Sequence, residues 1–157
     1  MINPEAVQEF LGQHRIAVIG ASDDPKSFGN TIFQAMKDHG YDAVPVHPTV
    51  PEVDGVTCYP DLASIPGDVD GAIVMVNQAA APGIVDECAA KGIDRVWLFK
   101  GLGSPGALSA EAVERCAHHG ITVVEGACPL MFLQPVGGFH RFHRALRRMN
   151  GSLAKAS

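Results

Sequence analysis

The 157-residue sequence is informative first by what it lacks. Its four cysteines, Cys58, Cys88, Cys116 and Cys128, form no C-x-x-C pair and follow no zinc-ligand spacing, so neither a disulfide framework nor a structural metal is expected. A reduced, cytoplasmic protein follows as the default. No apolar run approaches the roughly 20 residues a membrane span needs. Residues 1–13 mix Glu5, Gln8 and Glu9 among scattered apolar positions and lack the core of a signal peptide. A basic excess is missing too. The net charge of -5 argues against generic nucleic-acid binding, which draws on a basic surface. Enzyme signatures are equally scarce. There is no G-x-x-x-x-G-K-[ST] phosphate loop, no Gly-x-Ser-x-Gly elbow and no carboxylate pair at a defined spacing.

What is present is a repeated alternation of short apolar strands and amphipathic helices. Residues 1–13 carry Val7, Phe10 and Leu11 on one side of a short helix. Ile16-Ala17-Val18-Ile19 reads as a strand breaking at Gly20. Ser27 can cap a helix running to about His39, with Phe28, Ile32, Ala35, Met36 and His39 along one stripe. A strand over residues 43–46 follows, in which Pro45 is awkward because proline removes a ladder donor. Residues 49–67 are turn-rich; an extended piece over 56–59 and one helical turn around Leu62–Ile65 are expected to cover a sheet edge.

Residues 71–76 form an apolar run without alternation, as in a strand buried on both faces. Pro82 opens a helix with Ile84, Val85, Cys88 and Ala89 inward. Residues 95–99 form the fourth main strand, followed by the glycine-rich loop 100–106. A helix with Ala112, Val113, Cys116 and Ala117 inward runs to His119, and residues 121–124 form the fifth. Gly40, Gly92 and Gly120 each stop a helix just before a strand. The pattern is one of βαβ units, giving a Rossmann-like, doubly wound α/β domain with a five-stranded parallel sheet. Its ligand belongs beyond the carboxyl ends of the strands.

The first strand–glycine–helix junction is the candidate site, because backbone N–H groups and the helix dipole there attract phosphate. It is not the NAD-type G-x-G-x-x-G: Ser22 stands at the third position and Pro25 at the sixth. The second strand ends in Val46-His47-Pro48, without the ribose-binding carboxylate. An NAD(P)-binding redox sensor or minimal oxidoreductase is the alternative these departures weigh against.

The blocks Val18-Ile19-Gly20-Ala21-Ser22-x-x-Pro25-x-Ser27-x-Gly29, Gly40-Tyr41-x-x-x-Pro45-Val46-His47-Pro48, Tyr59-Pro60-x-Leu62-x-x-Ile65-Pro66 and Val96-Trp97-Leu98-x-x-Gly101 together resemble the small CoA-binding family. That family is similar to the N-terminal domain of the succinyl-CoA synthetase α subunit. The resemblance covers roughly residues 14–128 and implies coenzyme A or an acyl-CoA as ligand. On it, Gly20, Ala21 and Ser22 would lie against the diphosphate, with Pro25, Lys26 and Ser27 as its outer wall. His47 and Pro48 would stand at the second-strand end, and Asn77 and Gln78 on the loop bordering the ligand. Here His47 replaces the family's commoner asparagine, and Thr49 replaces the lysine that often follows the proline.

Each of these residues also has a plainer structural role open to it. Lys26 reads equally as a solvated lysine, Asn77 and Gln78 as helix-entry residues, and Trp97 as core or crevice wall. Cys128, at the fifth strand's carboxyl end, is expected to face the crevice, either as an inert thiol or as a partner for the ligand's sulfur. Residues 129–157 form an extension in which Phe139, Phe142, Leu146 and Met149 make the apolar stripe of a basic helix. That helix either docks on the domain, contacts a second copy or a protein partner, or clamps a phosphate; His140 and His143 lack a third metal ligand. With no self-contained nucleophile and base, the chain reads as a stand-alone CoA-binding carrier, sensor or accessory domain, not a catalyst. An acyl-CoA-processing enzyme using Cys128 or His47 is the third reading.

Overall fold

The structure is a computed structural model and describes residues 3–100 and 106–133; the basic C-terminal helix expected from the sequence lies outside them. The chain runs α1 (Pro4–Leu11), β1 (Arg15–Ile19), α2 (Phe28–Asp38), β2 (Asp42–Val46), β3 (Glu52–Val53), β4 (Val56–Thr57), β5 (Gly71–Val74), α3 (Ala81–Lys91), β6 (Arg95–Leu98), α4 (Ala110–His118) and β7 (Thr122–Glu125), then a short 3-10 turn, Pro129–Met131. Five strands form a parallel sheet in the order β2-β1-β5-β6-β7. Strands β3 and β4 make a separate antiparallel hairpin. This is the expected Rossmann-like architecture.

Strand alternation sorts the core into two layers. Ile16, Val18, Ile73 and Trp97 join α1 and α2 on one face. Ala17, Ile19, Ala72, Val74, Val96 and Leu98 join α3 and α4 on the other. With helices on both faces, the middle strand β5 contains no polar residue to face water, and residues 71–74 are buried throughout. Among the described residues no helix is long and apolar enough to cross a membrane.

Three glycines end helices in the left-handed region, where a Cβ would be strained: Gly40 at φ 90°, Gly92 at 84° and Gly120 at 71°. Pro45 is accommodated because β2 is an edge strand. Val46 takes the ladder bond from Gly20 N–H, while the Pro45 carbonyl accepts from Tyr59 N–H on the outer side. The missing N–H of Pro45 therefore leaves β1 fully bonded.

Several sequence expectations are corrected. Phe28 is 62% exposed and Phe33 takes its place in the core, because the first turn of α2 overhangs the end of the sheet. Ala117 faces outward on α4. Strand β5 stops at Val74, before Met75 and Val76. The segment around Leu62 and Ile65 is a turn, not a helix. The Asp61 carboxylate accepts from Ser64 N–H at 2.9 Å and from its hydroxyl at 2.7 Å, and Pro66 then supplies no donor to carry a helix on. The piece 56–59 is divided: Val56–Thr57 pairs within the hairpin, and Tyr59 bridges the outer edge of β2 at Val46.

Candidate functional site

The sheet order reverses direction at β1 and β5, and a crevice forms where successive connections leave on opposite faces. There a cleft of about 530 Å³ opens. One wall is Gly20, directly after β1, with Phe28 and Gly29 at the start of α2. The opposite wall is residues 75–79, between β5 and α3; Phe99 and Gly106, beyond β6, close the floor.

Glycine is demanded at two of these positions. Gly20 has φ 99°, and a Cβ on it would overlap the Met75 carbonyl. A Cβ on Gly29 would overlap the Gly20 carbonyl. The first turn of α2 thus rests directly on the end of β1, a contact only bare backbone allows. The lip this creates is rich in donors. The N–H groups of Ser22 and Asp23, and of Phe28 and Gly29 in α2, find no acceptor among the described residues. Unpaired N–H groups at a helix N-terminus are the natural seat of a phosphate.

The loop before α2 is held in shape by its own side chains. Ser22 Oγ accepts from Asp24 N–H at 3.0 Å, and an Asp24 carboxylate oxygen accepts from Lys26 N–H at 2.9 Å. Ser27 caps α2 as expected, its Oγ accepting from Asn30 N–H at 3.1 Å and donating to the Asp24 carbonyl at 2.9 Å. Pro25 and Lys26 are exposed. Ala21 is fully buried and contributes backbone only.

Of the ten residues singled out from sequence, Gly20, Asn77 and Gln78 line the cleft. Ala21, Ser22, Pro25, Lys26 and Ser27 form the loop beside it. His47 and Pro48 do not line it, and lie at the end of the neighbouring edge strand β2. His47 Nδ1 accepts from Thr49 N–H at 3.2 Å, and His47 N–H donates to the Tyr59 carbonyl at 3.0 Å. Asn77 performs the helix-entry role, its side-chain oxygen accepting from Ala80 N–H at 2.9 Å. Gln78 Nε2 donates to the Leu108 carbonyl at 2.6 Å, tying together the loops after β5 and β6.

Sequence reasoning missed Asn30. It is the buried polar side chain of the described core, 5% exposed. Its Nδ2 donates to the Ser22 carbonyl at 2.9 Å and to an Asp54 carboxylate oxygen at 3.1 Å. One amide thus ties the glycine loop to the β3–β4 hairpin, whose turn residues Asp54 and Gly55 have φ 51° and 80°. The available signal was an asparagine three residues before Phe33, on the inward side of the helix. Asn30→Leu removes both bonds and leaves the Ser22 carbonyl short of a donor; a loss of about 1–3 kcal/mol is expected, measured by urea denaturation.

The cysteines separate by environment. Cys88 and Cys116 are fully buried between α3 and α4. Burial, reinforced by the neighbouring Cys116, pushes the Cys88 thiol far above its ordinary range. Burial pushes Cys116 up to about 11. Cys128 is partly exposed but packs with Ala127 and Phe132 on the α1/α2 side and does not line the cleft; burial raises its thiol too, opposed by an N–H from Leu130. Iodoacetamide is therefore expected to label Cys128 first and Cys88 only on unfolding, as mass spectrometry of the labelled protein would read. Trp97 is core, fully buried. No group of three or more His, Cys, Asp or Glu able to hold a metal occurs among the described residues.

A parallel sheet with a donor-rich glycine lip at its switch point defines the class of Rossmann-like nucleotide-binding domains. Within that class, residues 14–134 match the CoA binding domain family, and the chain belongs to it. It is 34% identical over 125 residues to the α subunit of the ADP-forming acetate–CoA ligase II of Pyrococcus furiosus, covering 76% of this chain and 27% of the ligase subunit. The chain thus spans about a quarter of that relative's length. It is 32% identical over 131 residues to the uncharacterized protein YneT of Bacillus subtilis, covering 82% of this chain and 93% of that protein. Among solved structures, a hypothetical protein from Pyrococcus horikoshii superposes with a TM-score of 0.75 at 27% identity, covering 83% of this chain and 89% of that one. The NAD(P) alternative gains no support from these relatives.

Proposed function

We propose that this chain binds coenzyme A or an acyl-CoA as a self-standing binding module, in the cleft between the glycine lip and residues 75–79. The observation that carries this reading is the lip itself. Gly20 and Gly29 bring strand end and helix start into backbone contact, and the N–H groups of Ser22, Asp23, Phe28 and Gly29 find no acceptor among the described residues. Membership of the CoA binding domain family selects the ligand.

In this arrangement the diphosphate accepts hydrogen bonds from the N–H groups of Ser22 and Asp23 and of the first turn of α2, in the favourable field of the helix N-terminus. Pro25, Lys26 and Ser27 wall it from solvent, with the Lys26 ammonium available as a counter-charge. The ADP half extends toward His47 and Pro48 at the end of β2. The pantetheine arm runs the other way, past Asn77 and Gln78. Coenzyme A, when bound, supplies a thiol for carrying acyl groups; the chain's own residues bind and orient it.

The test is calorimetric titration of the purified chain with CoA, acetyl-CoA, NAD and NADP. Saturable heat with the two CoA species and none with NAD or NADP is the expected result. Binding of NAD or NADP alone would overturn the proposal.

A further inference from the structure

We infer that the cleft favours CoA thioesters of uncharged acyl groups and discriminates against those ending in a carboxylate. This rests on the reading of the cleft as the CoA site and adds which acyl class it takes.

The two sides of the cleft differ in chemistry. The lip offers backbone N–H groups, suited to phosphate. Beyond these backbone donors the lining is the Phe28 side chain with Met75, Val76, Ala79 and Phe99, and Asn77 and Gln78 are its polar members. No Lys, Arg, His, Asp or Glu is among the described residues that line it. Its two amides carry no charge, and each has one end engaged: the Asn77 oxygen accepts from Ala80 N–H, and Gln78 Nε2 donates to the Leu108 carbonyl. A carboxylate carried into this part of the cleft would lose water and meet no cation among the described lining residues, a penalty that neutral acyl groups escape.

Phe28 gives the second reason. Its ring is 62% exposed, at the first position of α2, and stands 6.1 Å from the Phe99 ring at 45°. A large aromatic side chain left open across a cleft from another is apolar surface waiting for an apolar occupant. The amide-linked pantetheine arm and a short alkyl chain are such an occupant, and both are uncharged.

Butyryl-CoA and succinyl-CoA provide the comparison, since both carry four-carbon acyl groups and only the latter ends in a carboxylate. Their affinities for the wild-type chain are measured by titration beside CoA, and repeated with Phe28→Ala. Butyryl-CoA is expected to bind at least about tenfold more tightly than succinyl-CoA, and about fourfold more tightly than CoA itself, on the scale of burying about one methylene. Phe28→Ala, a change at an exposed site, is expected to weaken butyryl-CoA binding more than CoA binding and so narrow that gap. Equal affinity for succinyl- and butyryl-CoA, or equal weakening of butyryl-CoA and CoA by Phe28→Ala, would overturn the inference and leave the CoA site standing. Failure of CoA and every thioester to bind would overturn both.

Discussion

Gly29→Ala is expected to destabilise the fold by about 1–3 kcal/mol and to lower CoA affinity at least about tenfold, the equivalent of about 1.4 kcal/mol of binding. The reason is steric. The new Cβ would overlap the carbonyl of Gly20, with Ala21 Cα at 3.3 Å behind it. Backbone on both sides cannot rotate away as a flexible side chain would, so α2 must move off the end of β1. That displacement separates the N–H groups of the helix start from those of Ser22 and Asp23. Gly83→Ala is the matched control. Gly83 lies in the first turn of α3, exposed, with nothing within 4 Å of the added methyl. The same substitution there should stabilise by up to about 1 kcal/mol through helix propensity. Urea denaturation of both variants, with CoA titration of each, reads the two signs. Equal stability of Gly29→Ala and wild type would show that the close approach of α2 to β1 is dispensable.

The second large effect is expected at Trp97. Truncation to alanine should cost about 3–5 kcal/mol, measured by denaturation followed by circular dichroism. The indole is fully buried. It packs edge-on against Phe10 at 5.4 Å and Phe132 at 5.6 Å, so one ring joins α1, the sheet and the segment after β7. Its Nε1 donates to the carbonyl of Ala127 at 3.1 Å. Ala127 holds φ 73°, a conformation alanine rarely adopts, and this bond helps keep it there. Trp97→Phe retains most of the packing and loses the hydrogen bond, so a smaller loss of about 1–2 kcal/mol is expected. A Phe variant as unstable as the Ala variant would mean that the bond, and not the ring contacts, dominates.

Both substitutions bear on how α1 belongs to the molecule. From sequence, residues 1–13 stood apart as a helix preceding the domain. In the structure Phe10 is buried against Trp97, and Gly71 leaves room for its ring, the added Cβ falling 3.0 Å from Phe10. The Tyr41 hydroxyl, donating to the Leu11 carbonyl at 2.5 Å, fastens the end of α1 to the loop before β2. The helix is part of the same core.

The sequence by itself determined the five main strands and the helices between them, because those depend on neighbours one to four residues away. Apolar runs of four or five residues, a serine placed to cap α2, and Gly40, Gly92 and Gly120 just beyond helix ends carry that information locally. The spelling Gly20-Ala21-Ser22, together with the blocks ending at Pro48, Pro66 and Gly101, likewise carries the resemblance to the family. Tertiary structure alone decided what meets across the sheet. That β5, some 50 residues on, lies beside β1 follows from burying both faces at once, which no local pattern encodes. The same global packing put Asn30 inside and Phe28 outside, against their ordinary preferences, and turned Trp97 wholly into core. It also set the boundary of the cleft, bringing Met75, Phe99 and Gly106 to the lip and leaving His47 at its flank. A residue's type constrains its own backbone; its neighbours in space are chosen by the whole chain closing around two cores.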